Sequence, residues 1–364
     1  MKKIRIGLVG AGFIGKMHVS AILAQQDIFE GRNGTIEWAI VCDANGDAAQ
    51  AVASRYGFER HSGDWRDALA CKLDLLIVAT PNESHYEISR QAIEHGINVF
   101  CEKPLTTDPR QSQELSDLAK TRQCFNYVGF IYVTAPQNVF VKNLVVSGKL
   151  GKITRVTGTF DYGGKLDPNM PINWRMKDKN SKSGVLGDTC THVLSTLKAV
   201  LGDTKRVVGI QSTIIKERPI AVGSSEMAKV QTDDITQFLI EYKNGTIGSL
   251  GCTGLGGGHP IGIGYELQGL LGSVRVEQDN FNEVYVHFGN DEYPGFKKVK
   301  IAEQYSDGVW WGSFSEMMMF QFNKVFDALV NGADYECDFS FGAEIDRVID
   351  AIQQSADENR WVDL

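Results

Sequence analysis

The sequence predicts an α/β chain in two parts: a doubly wound parallel sheet over residues 1–130, then an α+β domain over 131–364 with a large, mostly antiparallel open sheet. Three observations predict it. Through the first third, apolar runs of strand length alternate with helix-patterned stretches, as a parallel sheet with crossover helices requires. A glycine-rich turn, Gly10-Ala11-Gly12-Phe13-Ile14-Gly15, breaks the first of those strands and opens the first helix. Beyond residue 150 strand-like runs follow one another with tight turns such as Asn244-Gly245, the pattern of an antiparallel sheet. At 364 residues, and roughly 150 per domain, two domains are the natural count. The final helix is read as able to pack back on the first.

Ile4 to Val9 form the first strand, and Lys16 to Ala24 continue with helical spacing. Between them the spacing of the glycines has a physical cause. Gly10 permits the tight turn, Gly12 leaves the backbone open to a pyrophosphate, and Gly15 lets helix and strand pack closely. The helix start, with Phe13 and Ile14, points its unpaired N–H groups and positive dipole end at phosphate. A Rossmann dinucleotide site is expected here. The second strand, Ile36 to Cys42, ends at Asp43, which is placed to accept hydrogen bonds from both ribose hydroxyls and to repel a 2′-phosphate. It lies further along than the usual ~20 residues, an excess that the polar insert from Asp27 to Gly34 accounts for. NAD is therefore expected, with NADP the alternative; the other reading of Asp43 is the start of a turn before Asn45-Gly46.

The alternation continues with helix Asp47 to Tyr56, a short strand near Phe58, helix Trp65 to Ala70, strand Leu73 to Ala79, helix Ser84 to His95 and strand Asn98 to Cys101. Ligands bind at the carboxyl ends of such strands, which makes Thr80, Pro81, Asn82 and His85 candidates for the nicotinamide side. A turn and a helix start fit the same residues. Glu102-Lys103-Pro104 closes the last of these strands. A lysine there, beside Glu102 and held extended by Pro104, is placed to hold a substrate hydroxyl and keep positive charge near the reacting oxygen.

Phe130 to Tyr132 crosses to the second domain, where helix Val139 to Val146 comes first. Strands are expected at Ile153 to Phe160, Val207 to Ile215, Ile235 to Tyr242, Thr246 to Leu250, Gly264 to Gly269, Ser273 to Glu277 and Val284 to Phe288. Helices Phe314 to Val330 and Phe341 to Glu358 close the chain. A helix is also expected from Gly184, with Asp188 and His192, four apart, on one face. A histidine so placed can take a proton from an alcohol near neutral pH while the carboxylate orients it or binds a neighbouring hydroxyl. An ordinary helix-stabilising pair, or a core histidine, fits the same spacing. Tyr162, Trp174, Tyr265, Trp310 and Trp311 have polar edges and flat faces that suit a sugar ring, but such residues are more often core. Trp174 with Arg175 is preferred, because the two sit in a loop shortly before the Asp188 segment. Met317 to Met319 read as core, and Gly254 to His259 as a loop without the lysine of a phosphate-binding loop.

Composition narrows the function. The chain is 43% hydrophobic and 23% charged with a net charge of -8, and has no basic run to displace counterions from a nucleic acid or an anionic membrane. Its seven cysteines are scattered and include no C-x-x-C pair, which predicts reduced thiols in the cytoplasm and no zinc site. No signal peptide and no membrane-spanning run is read. A small enclosed substrate is the expected partner, and no metal is called for.

The glycine turn at 10 to 15, Ala79 to His85 and Cys101 to Leu105 occur in one order and frame. With Ser147 to Ile153, Trp174-Arg175 and Ser183 to His192, they make the sequence resemble the glucose-fructose oxidoreductase, inositol dehydrogenase and rhizopine-catabolism family (Gfo/Idh/MocA) over nearly its whole length. The resemblance implies that Lys103, Asp188 and His192 are the family's catalytic trio and that the chain assembles as a homodimer or homotetramer through the C-terminal sheet. Two departures stand out. The family often has arginine where this chain has Tyr132-Val133, and aspartate three residues after the histidine, where it has Ser195. Both charged partners are absent together, so the pocket is expected to be less polar on that side; the expected substrate contacts are Lys103, Tyr132, Tyr162, Trp174, Arg175, Asp188 and His192. The expected activity is NAD-dependent oxidation of a secondary hydroxyl of a sugar, sugar derivative or cyclitol. The alternatives are an NADPH-dependent reductase, an oxidoreductase that keeps its cofactor bound, and a nucleotide-sensing regulator without turnover.

Overall fold

The computed structural model describes residues 3–29, 34–259, 261–280, 283–290, 292, 294–301 and 313–364. The chain forms two compact units, Met1–Thr134 with Ser313–Asp346, and Ala135–Gly312 with Arg347–Leu364.

The first unit opens with β1 (Lys3–Val9), α1 (Phe13–Ile28), β2 (Thr35–Cys42), α2 (Gly46–Tyr56), β3 (Arg60–Ser62), α3 (Arg66–Leu69) and β4 (Leu75–Val78). It continues with α4 (His85–Glu94), β5 (Asn98–Cys101), α5 (Pro109–Arg122) and β6 (Asn126–Val128). Its six strands pair in parallel in the order β3-β2-β1-β4-β5-β6, the doubly wound arrangement with its switch point between β1 and β4. Leu75, Leu76, Ile77 and Val78 are fully buried, which is why β4 reads as an unbroken apolar run and not as an alternating one. Helix α5 begins where Asp108 caps Arg110 N and Pro109 occupies the first turn. The sequence reading did not include it; its surface is too polar for an apolar stripe to announce it.

The second unit contains α6 (Pro136–Val146), β7 (Ile153–Asp161), α7 (Thr191–Leu201), β8 (Thr204–Ser212), β9 (Glu217–Pro219), β10 (Met227–Lys229), β11 (Ile235–Tyr242) and β12 (Ile247–Thr253). It adds β13 (Gly264–Gly269), β14 (Gly272–Val276), β15 (Val284–Phe288) and β16 (Lys297–Val299). The sheet runs β16-β15-β14-β13-β7-β12-β11-β8-β17, where β17 is Val362–Asp363. It is mixed, because β7 and β12 pair in parallel while the other neighbours are antiparallel. Asn244-Gly245 makes the β11–β12 hairpin, with Gly245 at φ 87° and its N–H on the Tyr242 carbonyl.

Helix α8 (Phe314–Asn331) belongs to the first unit, where Phe320 meets Phe29 edge-on at 5.8 Å and Asn323 accepts from Gln25 of α1. A Ser313–Glu316 capping box starts it. Met317, Met318 and Met319 are buried core, as the sequence suggests. Helix α9 (Phe339–Glu358) starts in the first unit, with Asp346 accepting from Thr106 N and the Ser112 hydroxyl, and ends in the second, with Ser355 accepting from Gly209 N of β8. Among the described residues, no helix is long and apolar enough to cross a membrane.

Candidate active site

In the first unit the three glycines occupy three different environments. Gly10 has φ 105°, and a Cβ there would stand 2.3 Å from the Ala79 carbonyl oxygen. A Cβ on Gly15 would stand 1.9 Å from the Gly10 oxygen, so helix and turn touch backbone to backbone. Gly12 faces open space, with nothing within 4 Å of where its Cβ would be. Among the described residues, no side chain caps the start of α1. An exposed, uncapped helix start over a bare glycine fits a pyrophosphate. Asp43 closes the same turn: one carboxylate oxygen accepts from Ala11 N at 2.7 Å and the other from Asn45 N at 2.8 Å. It is thereby fixed at the end of β2 and keeps further lone pairs for ribose hydroxyls. Phe13 is exposed and Ile14 half-buried beside this turn.

At the ends of β4 and β5, the Thr80 and Ser84 hydroxyls pair at 2.7 Å, Pro81 is exposed and Asn82 is buried. His85, read either as lining the nicotinamide side or as opening a helix, is the first residue of α4 and fully buried. Its Nδ1 lies 2.8 Å from the Pro104 oxygen and its Nε2 lies 2.9 Å from the Thr80 oxygen, so the ring ties the two strand ends together. Glu102 is buried, with Oε2 accepting from Lys103 N at 3.1 Å and Oε1 2.8 Å from His18 Nε2. Burial works to raise this carboxyl, but the contact and charge of His18, with the charge of Lys103, hold it below the usual carboxylate range. The sequence reading missed His18. Its partner is distant in the chain, and only its place three residues after Gly15 marks it.

In the second unit the segment from Gly184 departs from the plain α-helix expected. Leu186–Cys190 form a π-helical turn ahead of α7. Gly184 packs against Asp233 and Gly187 against the Lys182 carbonyl, each so closely that a Cβ would stand 1.9 Å from an oxygen. Asp233 Oδ2 then accepts from Leu186 N at 2.9 Å and from the Thr236 hydroxyl at 2.6 Å. Such turns are frequent at functional sites. Half-buried Asp188 lies in the turn, and His192, 7% exposed, lies in the first turn of α7 with its ring stacked on Phe160 at 5.9 Å. Tyr162 lies near them: burial first, then the negative charge of Asp188, pushes its hydroxyl above the usual phenol range, against a lowering effect of Arg175.

The loop after Tyr162 is pinned by Arg218, fully buried on β9, which donates to the carbonyls of Lys165 and Asp167. Buried Lys165 turns its ammonium to the Asp233 carbonyl at 3.4 Å. Arg175 lies 4.4 Å over the ring of Trp174, which is 36% exposed. Tyr265 is core, donating to Asn138. Trp310 and Trp311 lie outside the described residues. At the two departures, Tyr132 in the first unit is buried, and Ser195 turns its hydroxyl back onto the His192 carbonyl. All seven cysteines are free thiols, and burial ahead of the charge of Asp67 pushes Cys42 up to about 12. Among the described residues, no three His, Cys, Asp or Glu side chains gather to hold a metal ion.

Residues 4–130 match the family model described as an oxidoreductase family with an NAD-binding Rossmann fold, and residues 139–275 match the GFO/IDH/MocA C-terminal domain. A levoglucosan dehydrogenase of Pseudarthrobacter phenanthrenivorans is 30% identical, over 100% of this chain and 99% of that protein. The solved structure of a levoglucosan dehydrogenase in complex with NADH and levoglucosan superposes with a TM-score of 0.94 at 30% identity, covering 100% of this chain and 99% of the other. An inositol 2-dehydrogenase of Rhizobium meliloti is 26% identical, over 60% of this chain and 61% of its own.

Proposed function

The chain belongs to the Gfo/Idh/MocA family of oxidoreductases, and on that premise we propose how its residues divide the work of an NAD-dependent sugar dehydrogenase. Gly10, Gly12 and Gly15 hold the pyrophosphate and Asp43 the adenosine ribose, which disfavours a 2′-phosphate. Thr80, Pro81, Asn82 and Glu102 shape the nicotinamide end. When bound, NAD supplies the acceptor for the hydride that leaves the carbinol carbon. His192 takes the hydroxyl proton, Lys103 holds the same oxygen as negative charge grows on it, and Asp188 positions the sugar or the imidazole.

One observation carries this division: a single helical stretch sets the half-buried carboxylate of Asp188 one turn before the buried imidazole of His192. For the substrate we favour an uncharged pyranose ring. A relative matched over the whole chain is a levoglucosan dehydrogenase, Trp174 is 36% exposed and carries the Arg175 guanidinium over its ring, and Tyr132 and Ser195 stand where the family often places charges. The enzyme works in the cytoplasm and assembles through the open face of the second unit's sheet.

The test is a panel of levoglucosan, glucosides and inositols assayed by NADH absorbance, with Lys103→Ala and His192→Ala beside the parent. Each variant is expected to lose about 10²–10⁴-fold in kcat on the best substrate, with NAD affinity kept. Turnover at the parent rate in either would remove that residue from the trio.

A further inference from the structure

We propose that His18 is a positioning residue for Lys103, acting through Glu102: the imidazole fixes the carboxylate, and the carboxylate fixes the backbone and the local charge from which the Lys103 ammonium is presented. The inference rests on reading Lys103 as the group that holds the reacting oxygen.

His18 lies in α1, the helix that opens at the glycine turn, and none of its surface reaches solvent. Its ring meets Phe100 and Phe322 edge-on, both at 5.2 Å, with interplanar angles of 75° and 81°. These two contacts set the plane of the imidazole. A phenylalanine would fill such a slot without burying a polar atom, so core packing alone does not call for histidine. Neither ring nitrogen makes a hydrogen bond of regular geometry among the described residues, and Nε2, 2.8 Å from Glu102 Oε1, is the one that meets a charged partner.

Glu102 is thereby held at both oxygens, by His18 on one side and by the Lys103 N–H on the other. Its fit leaves no slack. A Cβ on Gly129 would stand 2.7 Å from the oxygen that faces His18, so the residue there has to be glycine for the carboxylate to stay. A carboxylate next in sequence to an ammonium, left untethered, would swing between that ammonium and water and carry the lysine with it. Tethered to α1, it keeps a constant field and a constant backbone position at the end of β5. A reacting group misplaced by about 1 Å can cost 10²-fold in rate, so such a tether acts on turnover more than on binding. The same helix cradles the cofactor's pyrophosphate, so His18 fixes Lys103 relative to the element that holds NAD.

The experiment is a double-mutant cycle in the full-length enzyme with NAD and its best sugar. His18→Leu is expected to lower kcat by about 10–100-fold, with the Kd for NAD within about twofold of the parent. His18→Gln, which keeps an N–H where Nε2 was, should restore most of it. In a Lys103→Met background the same His18→Leu change should cost less than about threefold. Unchanged kcat in His18→Leu, an equal loss in both backgrounds, or no recovery in His18→Gln would each overturn the proposal. If Lys103→Met itself turns over at the parent rate, the reading of Lys103 falls and this inference with it, a result distinct from those three. Should His18→Leu not fold, Glu102→Gln carries the same expectation of a lowered kcat that is not additive with Lys103→Met.

Discussion

The His85 ring lies between the Pro104 and Thr80 carbonyl oxygens, two acceptors that together call for two N–H donors and hence for a protonated ring. Complete burial opposes this. Desolvation is the largest effect, it outweighs the two carbonyls and the charge of Glu102, and the folded pKa falls below the ordinary 6.5. Below pH 6.5 the unfolded chain therefore takes up a proton that the folded chain resists, and stability is lost as pH falls. While the buried ring stays neutral, this costs up to about 1.4 kcal/mol per pH unit. In denaturant titrations the midpoint should hold level from pH 8 to 7 and decline below about 6.5. In His85→Asn the decline between about pH 6.5 and 5 should be shallower than in the parent. Equal slopes in the two proteins would show that the ring is already charged when folded, clamped by both carbonyls.

The π-helical turn at Leu186–Cys190 shows how an element can be set by residues outside it. Leu186 N, in the first turn of the helix where no intrahelical carbonyl is available, is taken by the Asp233 carboxylate, and Gly184 and Gly187 carry no side chain where two oxygens press in. The two glycines differ in what they meet. Gly184 faces a carboxylate, which can turn; Gly187 faces the main-chain oxygen of Lys182, which cannot. Gly187→Ala is therefore expected to destabilise the protein by about 1–3 kcal/mol, more than Gly184→Ala does, read as the shift in thermal midpoint. Because Asp188 sits in the displaced turn and the glycine turn of α1 does not, kcat should drop about tenfold or more while NAD affinity, measured by titration calorimetry, stays put. An active and unshifted Gly187→Ala enzyme would mean that the turn relaxes without moving its carboxylate.

What was legible in the sequence follows from how local its cause is. Strands β1, β5, β11, β13 and β15 declare themselves through their own apolar residues, and the glycine turn, Asp43, Lys103, Asp188 and His192 through motifs carried on short stretches. The parallel pairing of β7 with β12, the three-residue strands β9 and β10, the contact of His18 with Glu102 and the hold of Asp233 on the π turn were not legible. Each depends on residues brought together over long separations. The proposed assembly can be argued from the pairing registers. Ile210 lies opposite Gln237, Leu239 opposite Val208 and Ser249, and Ile247 opposite Glu241. Opposed residues share a face, as do i and i+2, so Ile210, Leu239 and Ile247 lie on one side of the sheet. They are 67%, 49% and 58% exposed, whereas Phe238 and Ile240 on the opposite side of β11 are buried. Three large apolar side chains on adjacent strands, bordered by Glu241, make a patch suited to a second copy meeting it with the same patch. The parent is expected to run as a multiple of the chain mass in light scattering, and the double change Leu239→Lys, Ile247→Lys to shift it toward the single chain through like-charge repulsion across the interface. NAD affinity should be retained, since the glycine turn belongs to the other unit. A parent that is monomeric at assay concentration, or a double variant whose mass is unchanged, would remove this face as the contact between subunits.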